Sequence, residues 1–197
     1  DPGVPPTAMV IRADADADNS GDAMLTADSN TDNEGSVKLA DGVSLQAQNI
    51  ELAGDSITAD VLTADIAGDG SGDVAATALQ DATFMDAVSA GATDGTIALE
   101  AVAGNLTTEA AGTLMAGGNI SATAGDDASL NAAVESEFDM VTATAGEDLE
   151  IAATVTAETG LGLSADNNMF IGGDLVADED GGDDGDLTAV ADADLSG

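Results

Sequence analysis

Apolar and polar residues alternate in short runs along most of this chain: VSLQA (43–47), IELA (50–53), SITA (56–59), TIALEAVA (96–103), LEIAATV (149–155) and DLTAVA (186–191). Such alternation puts every second side chain on one face of an extended segment, so each run reads as a half-buried strand. Gly, Asp and Asn separate the runs, as at Ser20-Gly21-Asp22, Glu34-Gly35 and Gln48-Asn49, and a turn arrives about every 7 residues. A short phrase returns throughout: IRAD (11–14), LTAD (25–28), KLAD (38–41), LAGD (52–55), IAGD (66–69), LSAD (163–166), LVAD (175–178) and AVAD (189–192). In the first half its final Asp falls at Asp14, Asp28, Asp41, Asp55 and Asp69, a spacing of 13 or 14.

A sandwich of hairpins would need matched strands, tight Asn-Gly or Asp-Gly turns and a bulkier core. Here the strands are very short and their inward residues are Ala, Val, Leu and Ile. A wound solenoid needs little more, because each coil stacks on the last and small aliphatics fill a narrow lumen. The pattern therefore predicts an all-β chain folded as a parallel β-helix, or β-solenoid. Three sides of about 7 residues make a coil of about 20, hence roughly nine or ten coils and a rod about 45 Å long. The expected organisation is an N-terminal arm over residues 1–7, carrying Pro2, Pro5 and Pro6, and a single solenoid domain over 8–197. Residues 74–89 are the least strand-like: one short helix fits them, and a coil with an insertion fits more simply.

Composition first raises disorder, since 39 acidic residues face only Arg12 and Lys38 for a net charge of −37, and Phe84, Phe138 and Phe170 are the only aromatics. A mean hydropathy of +0.10, prolines confined to one end and the periodicity itself argue for order. The same inventory excludes much chemistry. Without His or Cys there is no imidazole base, thiol nucleophile or ordinary zinc, haem or iron–sulfur site. Without basic residues there is no phosphate-binding surface, so no nucleic-acid partner is expected. No window approaches 18 consecutive apolar residues, so no membrane insertion is expected. The start at Asp1 reads as a mature chain or a fragment whose leader has gone.

The stretches AGDDASLNAA (124–133) and AGEDLEIAATVTAETGLGLSADNNMFIGGDLVADEDGGDDGDLTAVADADLSG (145–197) resemble filamentous haemagglutinin-type repeats of two-partner-secreted exoproteins and related adhesins. In those repeats a Gly/Asp turn precedes each alternating strand. The resemblance covers about residues 36–197. It implies a right-handed parallel β-helix, an extracellular or cell-surface location and a structural or adhesive role. The chain departs from that family in its extreme acidity and in lacking a recognisable secretion domain.

Two acidic runs are candidate metal sites, with calcium as the cofactor they would take. Asp14, Asp16, Asp18 and Asp22 match the opening of a calcium loop, with oxygen ligands at alternate positions and Gly21 at the turn. The Glu expected near its end is Ala27, and a strand with one solvated face accounts for the run equally. Asp178, Asp180, Asp183 and Asp184 lie in a second run that could gather a cation or form a solvated loop. GDGSGD (68–73) is a weaker, single copy of a Gly/Asp calcium motif. Catalysis on a β-helix, as in pectate-type lyases or glycoside hydrolases, needs a groove commonly lined with aromatics, and a lyase also needs a basic residue; the chain reads as non-enzymatic. Arg12 and Lys38 are expected to neutralise nearby Asp side chains, and the six Met and three Phe residues to fill irregular places in the lumen.

Two functions follow. One is a subunit that stacks head to tail into an extracellular filament, its partner another copy of itself, through Met9, Val10 and Ile11 at one end and Leu187, Thr188 and Val190 at the other. The other is a segment of a larger secreted adhesin presenting an acidic, calcium-binding surface. In both, cations are expected to accompany the carboxylates.

Overall fold

The alternating runs become short strands because β-branched and aliphatic residues pack on a pleated surface, while Gly, Asp and Asn terminate them at corners. The computed structural model describes residues 9–13, 21–27, 35–178 and 185–192. The chain winds through three parallel sheets in rotation. The first sheet stacks Met9–Arg12, Val43–Gln46, Val61–Thr63, Val88–Ser89, Thr113–Ala116, Ala133–Ser136, Val155–Ala157 and Leu175–Ala177. The second stacks Ala23–Thr26, Ile50–Gly54, Val74–Ala78, Ile97–Ala101, Ile120–Ala124, Met140–Ala145, Gly160–Ala165 and Asp186–Val190. The third stacks Ser36–Lys38, Ser56–Ala59, Ala82–Phe84, Leu106–Thr108, Ala128–Leu130, Leu149–Ile151 and Met169–Ile171.

This is the expected β-solenoid, with fewer coils. Among the described residues, sheets of 8, 8 and 7 strands make seven coils and two sides of an eighth, rather than nine or ten. Corner insertions are the reason: Leu114 and Val134 stand 20 residues apart in register, but Leu62 and Val88 stand 26 apart and Val10 and Ser44 stand 34 apart. Eight rungs then span about 34 Å rather than 45 Å. The described residues form no helix, and 74–89 supplies Val74–Ala78, Ala82–Phe84 and Val88–Ser89.

Register aligns the lumen residues into continuous rows. On the second sheet Ile50, Val74, Ile97, Ile120, Val141 and Leu161 stack rung on rung. Ile97–Ala101 shows the rule, with Ile97, Leu99 and Ala101 buried and Ala98 and Glu100 exposed. Some buried polar groups are paired: the Ser136 hydroxyl donates to the Gly118 carbonyl at 2.8 Å, and the Thr108 hydroxyl oxygen accepts from Asn131 and Ala132, each at 3.1 Å, whereas Gln48 Oε1 is enclosed without a partner among the described residues.

The expectation that Met and Phe fill the lumen holds for Phe84, which is 1% exposed, and partly for Met169, which packs against the core. It fails for Phe138, Phe170, Met9, Met24, Met115 and Met140, all of which point to solvent. They occupy outward positions of the alternation, at corners, or on the outermost rungs, where no following coil covers them.

Candidate functional site

Two features stand out on this rod: where its carboxylates lie, and how its ends are built. Within the described strands the acidic residues are Glu51, Glu100, Glu135, Glu150 and Asp186. Each strand glutamate is flanked in register by uncharged residues: Met24 and Ala75 for Glu51, Thr77 and Thr123 for Glu100, Met115 and Thr156 for Glu135, Ser129 and Phe170 for Glu150. No strand glutamate therefore sits one rung, about 4.8 Å, from another strand carboxylate. Aspartates go to corners because their side chains bond nearby backbone and disfavour strand interiors.

At the corner between the second and third sheets these residues form a ladder. Asp81 Oδ1 accepts from the Asn105 N–H at 2.9 Å, Asn105 Oδ1 from Asp127 at 3.1 Å, Asp127 Oδ1 from Asp148 at 3.1 Å, and Asp148 Oδ1 from Asn168 at 3.0 Å. The Asn168 side-chain amide adds a second bond to Asp148 at 2.9 Å. A similar ladder runs at the corner before the second sheet, where the Asn49 amide donates to Asp22, the Asp73 N–H to Asn49, and the Thr96 N–H and hydroxyl to Asp73. Charged acceptors strengthen such bonds, and interleaved Asn and Thr keep most charges apart. The signal was present in the sequence as an Asx–apolar pair every 20 to 24 residues, hidden by the many other aspartates.

Asp127 over Asp148 is the charged pair within the ladder. Replacing Asp148 with Asn keeps the acceptor and removes that repulsion, whereas Asp148→Ala strands the Asn168 donors. Thermal melting at low salt is expected to place Asp148→Asn at or above the parent, and Asp148→Ala lower by about 1 kcal/mol. Equal melting of the two variants would show that the ladder bonds contribute nothing.

Of the proposed metal ligands, Asp14, Asp16, Asp18, Asp180, Asp183 and Asp184 lie outside the described residues. Asp22 forms the first rung of its ladder. Asp178 directly follows the eighth strand of the first sheet, with its Oδ1 enclosed and unbonded among the described residues. One belongs to the first coil and the other to the last, so they share no site. Asp127, Asp148 and Glu150 line an open cleft of about 460 Å³ with Asn168 and Phe170, but no three carboxylates among the described residues converge as a metal centre requires. In and beside GDGSGD the carboxylates are already engaged, Asp73 by Thr96 in the ladder and Asp65 and Asp69 by their own loop. Asp65 accepts from the Asp69 and Gly70 N–H groups, and Asp69 accepts from the Ser71 hydroxyl and N–H. The Ser71 hydroxyl, then its N–H, holds the Asp69 carboxyl below its ordinary value.

The ends differ from the body in exposing apolar strands. Met9, Val10 and Ile11 are exposed at one end, and Leu187, Val190, Val176 and Ile171 at the other. Backbone direction distinguishes two sets within them. Lumen-facing residues donate their N–H groups forward to the next coil, as Met9 to Gly42, Ala13 to Gln46, Val74 to Thr96 and Ile97 to Asn119. Outward-facing residues and those continuing their alternation donate backward, as Val102 to Ala78, Asp178 to Ala157 and Asp186 to Thr159. By this alternation Val10 and Arg12 present backbone groups at the N-terminal edge, and Leu175, Ala177, Leu187 and Ala189 at the C-terminal edge. Thr188 and Val190 turn theirs back onto Gly160–Ala165. Of the residues expected to mediate assembly, then, Val10 and Leu187 offer open backbone, while Met9, Ile11, Thr188 and Val190 offer side chains.

No helix among the described residues is long and apolar enough to cross a membrane. Comparison with protein-family models, curated proteins and solved structures produced no match.

Proposed function

We propose that this chain is a non-enzymatic structural subunit of an extracellular or surface filament, formed by head-to-tail stacking of solenoids. The observation that carries this reading is a matched pair of edges that are open among the described residues: parallel strands with no outer neighbour at either end, apolar side chains exposed on them, and one lumen leading to both. Stacking extends the rows of the first and second sheets, placing Ile11 of one copy over Leu175 of the preceding one and Ala23 over Leu187. Unpaired edges are templates for pairing, and a heterologous contact of this kind does not close, so it grows into a fibre. Among the described residues the third sheet has one strand fewer than the other two.

Proline supplies the test, because it removes one backbone donor. Ala189→Pro takes a donor from the growing edge and is expected to abolish fibres while the monomer keeps its β circular dichroism and melting temperature. Val190→Pro takes a bond from within the subunit, and is expected to lower the melting temperature. Negative-stain microscopy with melting separates the two. Unchanged fibres from Ala189→Pro would exclude end-to-end stacking and leave the adhesin-segment reading in its place.

A further inference from the structure

Arg12 and Lys38 are the chain's two cationic side chains against 39 acidic ones, and both end edge strands of the N-terminal coil: Met9–Arg12 in the first sheet and Ser36–Lys38 in the third. Both are exposed. Among the described residues neither meets the acidic partner that simple charge neutralisation would supply. The opposite end of the first sheet is Leu175–Ala177, flanked by Asp174 and Asp178. Asp174 is exposed. Asp178 turns the chain with a φ of +68°.

We propose that Arg12 is the electrostatic key of the joint, pairing with Asp174 of the preceding copy, where Asp178 adds further negative charge. This rests on the head-to-tail reading above and adds to it the group that makes the joint polar and specific. The outward row of the first sheet begins at Arg12, passes through Gln46 and Thr63, and ends at Val176. Continuing it by one rung sets Arg12 of the next copy over Val176. Asp174 and Asp178 stand two residues to either side of Val176. Two residues along the strand and one rung across it put each of their Cα atoms about 8 Å from that of Arg12. That distance suits a long guanidinium side chain meeting the exposed Asp174 carboxylate through its planar fork of donors. The bridge answers a specific difficulty: two bodies of net charge −37 repel on approach, and Arg12 sets a cation where the two acids flank the contact. Lys38 has no such place. Among the described residues its outward row ends at Phe170, and the residues two places to either side, Asn168 and Gly172, carry no charge, which makes it a control with the same net charge change.

The experiment measures the critical concentration for fibre formation by sedimentation at fixed ionic strength, with circular dichroism confirming that each variant is folded. Arg12→Glu is expected to raise it about tenfold or more, equivalent to about 1.4 kcal/mol. Lys38→Glu should change it by less than about threefold, since it alters only the overall charge. Asp174→Lys alone should raise it, and Arg12→Glu with Asp174→Lys should return it to near the parent value. Equal effects of Arg12→Glu and Lys38→Glu, or no recovery in the double variant, would overturn the bridge while parent fibres leave stacking intact. Parent chain that forms no fibres at any concentration would overturn both.

Discussion

Phe84→Ala is expected to remove a large part of the stability of this protein, lowering the free energy of unfolding by about 3–5 kcal/mol against a typical total of about 5–15 kcal/mol. Phe84 is 1% exposed and is the largest fully buried side chain among the described residues. Its in-register neighbours are small, Ala59 on one side and Thr108 on the other, so the ring occupies volume that these rungs leave free. Both lie on short strands of a closed, narrow wall, which limits how far the lumen can collapse onto a cavity. Urea unfolding should therefore show a clear drop in midpoint with little change in slope. Phe170→Ala is the comparison: that ring is 62% exposed, and its removal should shift the midpoint by no more than a surface substitution does. Similar losses for the two would mean that the lumen around Phe84 repacks freely.

The second large effect is expected at a corner that has no lumen function. Gly72, Gly91, Gly95, Gly117 and Gly118 lie in successive backbone turns between the first and second sheets. Gly91 donates to the Gly72 carbonyl at 2.7 Å, Gly117 to Gly91 at 2.8 Å and Gly118 to Gly95 at 2.9 Å. A Cβ on Gly95 would run into the backbone nitrogen of Gly91 and the carbonyl oxygen of Gly72. Neither is a side chain that can swing away, so two coils would have to separate, and Gly95→Ala is expected to cost about 3 kcal/mol, the upper part of the usual overpacking range. Gly68 makes the opposite case. Its φ is +69° and a Cβ there meets nothing within 4 Å, so Gly68→Ala carries only the left-handed penalty of about 1–2 kcal/mol. A melting temperature lower for Gly68→Ala than for Gly95→Ala would show that conformation, not close approach, selects glycine at these turns.

The separation of charge from contact explains how so acidic a chain can stack. A solenoid repeats each position at one-rung spacing, so carboxylates in one row would repel through the whole rod. The strands avoid this by setting Thr, Ser, Ala or an apolar residue beside each glutamate, and two corner ladders by interleaving Asp with Asn and Thr, although beside one of them Asp126 and Glu147 stand a rung apart. Asp127 over Asp148 is the exception within the ladder.

The sequence by itself determined what is local. Period-2 alternation decides which side chains face inward, Gly and Asp decide where the chain turns, and short strands of small aliphatics select a wound wall over paired hairpins. The Ile97–Ala101 pattern could be read directly, and so could the burial of Leu45, Leu52 and Leu149. The tertiary structure alone decided which residues become neighbours across a coil, because that depends on corner insertions that stretch the repeat from 20 to 34 residues. Those insertions set the coil count and brought Asp81, Asn105, Asp127, Asp148 and Asn168 onto one edge. Stacking likewise determined which face of each strand's backbone stays unpaired. Thr188 and Val190 looked suited to joining copies as part of an exposed strand, yet their donors point back into their own subunit, and Leu187 and Ala189 hold the open edge. Alternation along one strand specifies a side chain's face, but the direction of a backbone bond acquires meaning only once the coil beneath is in place.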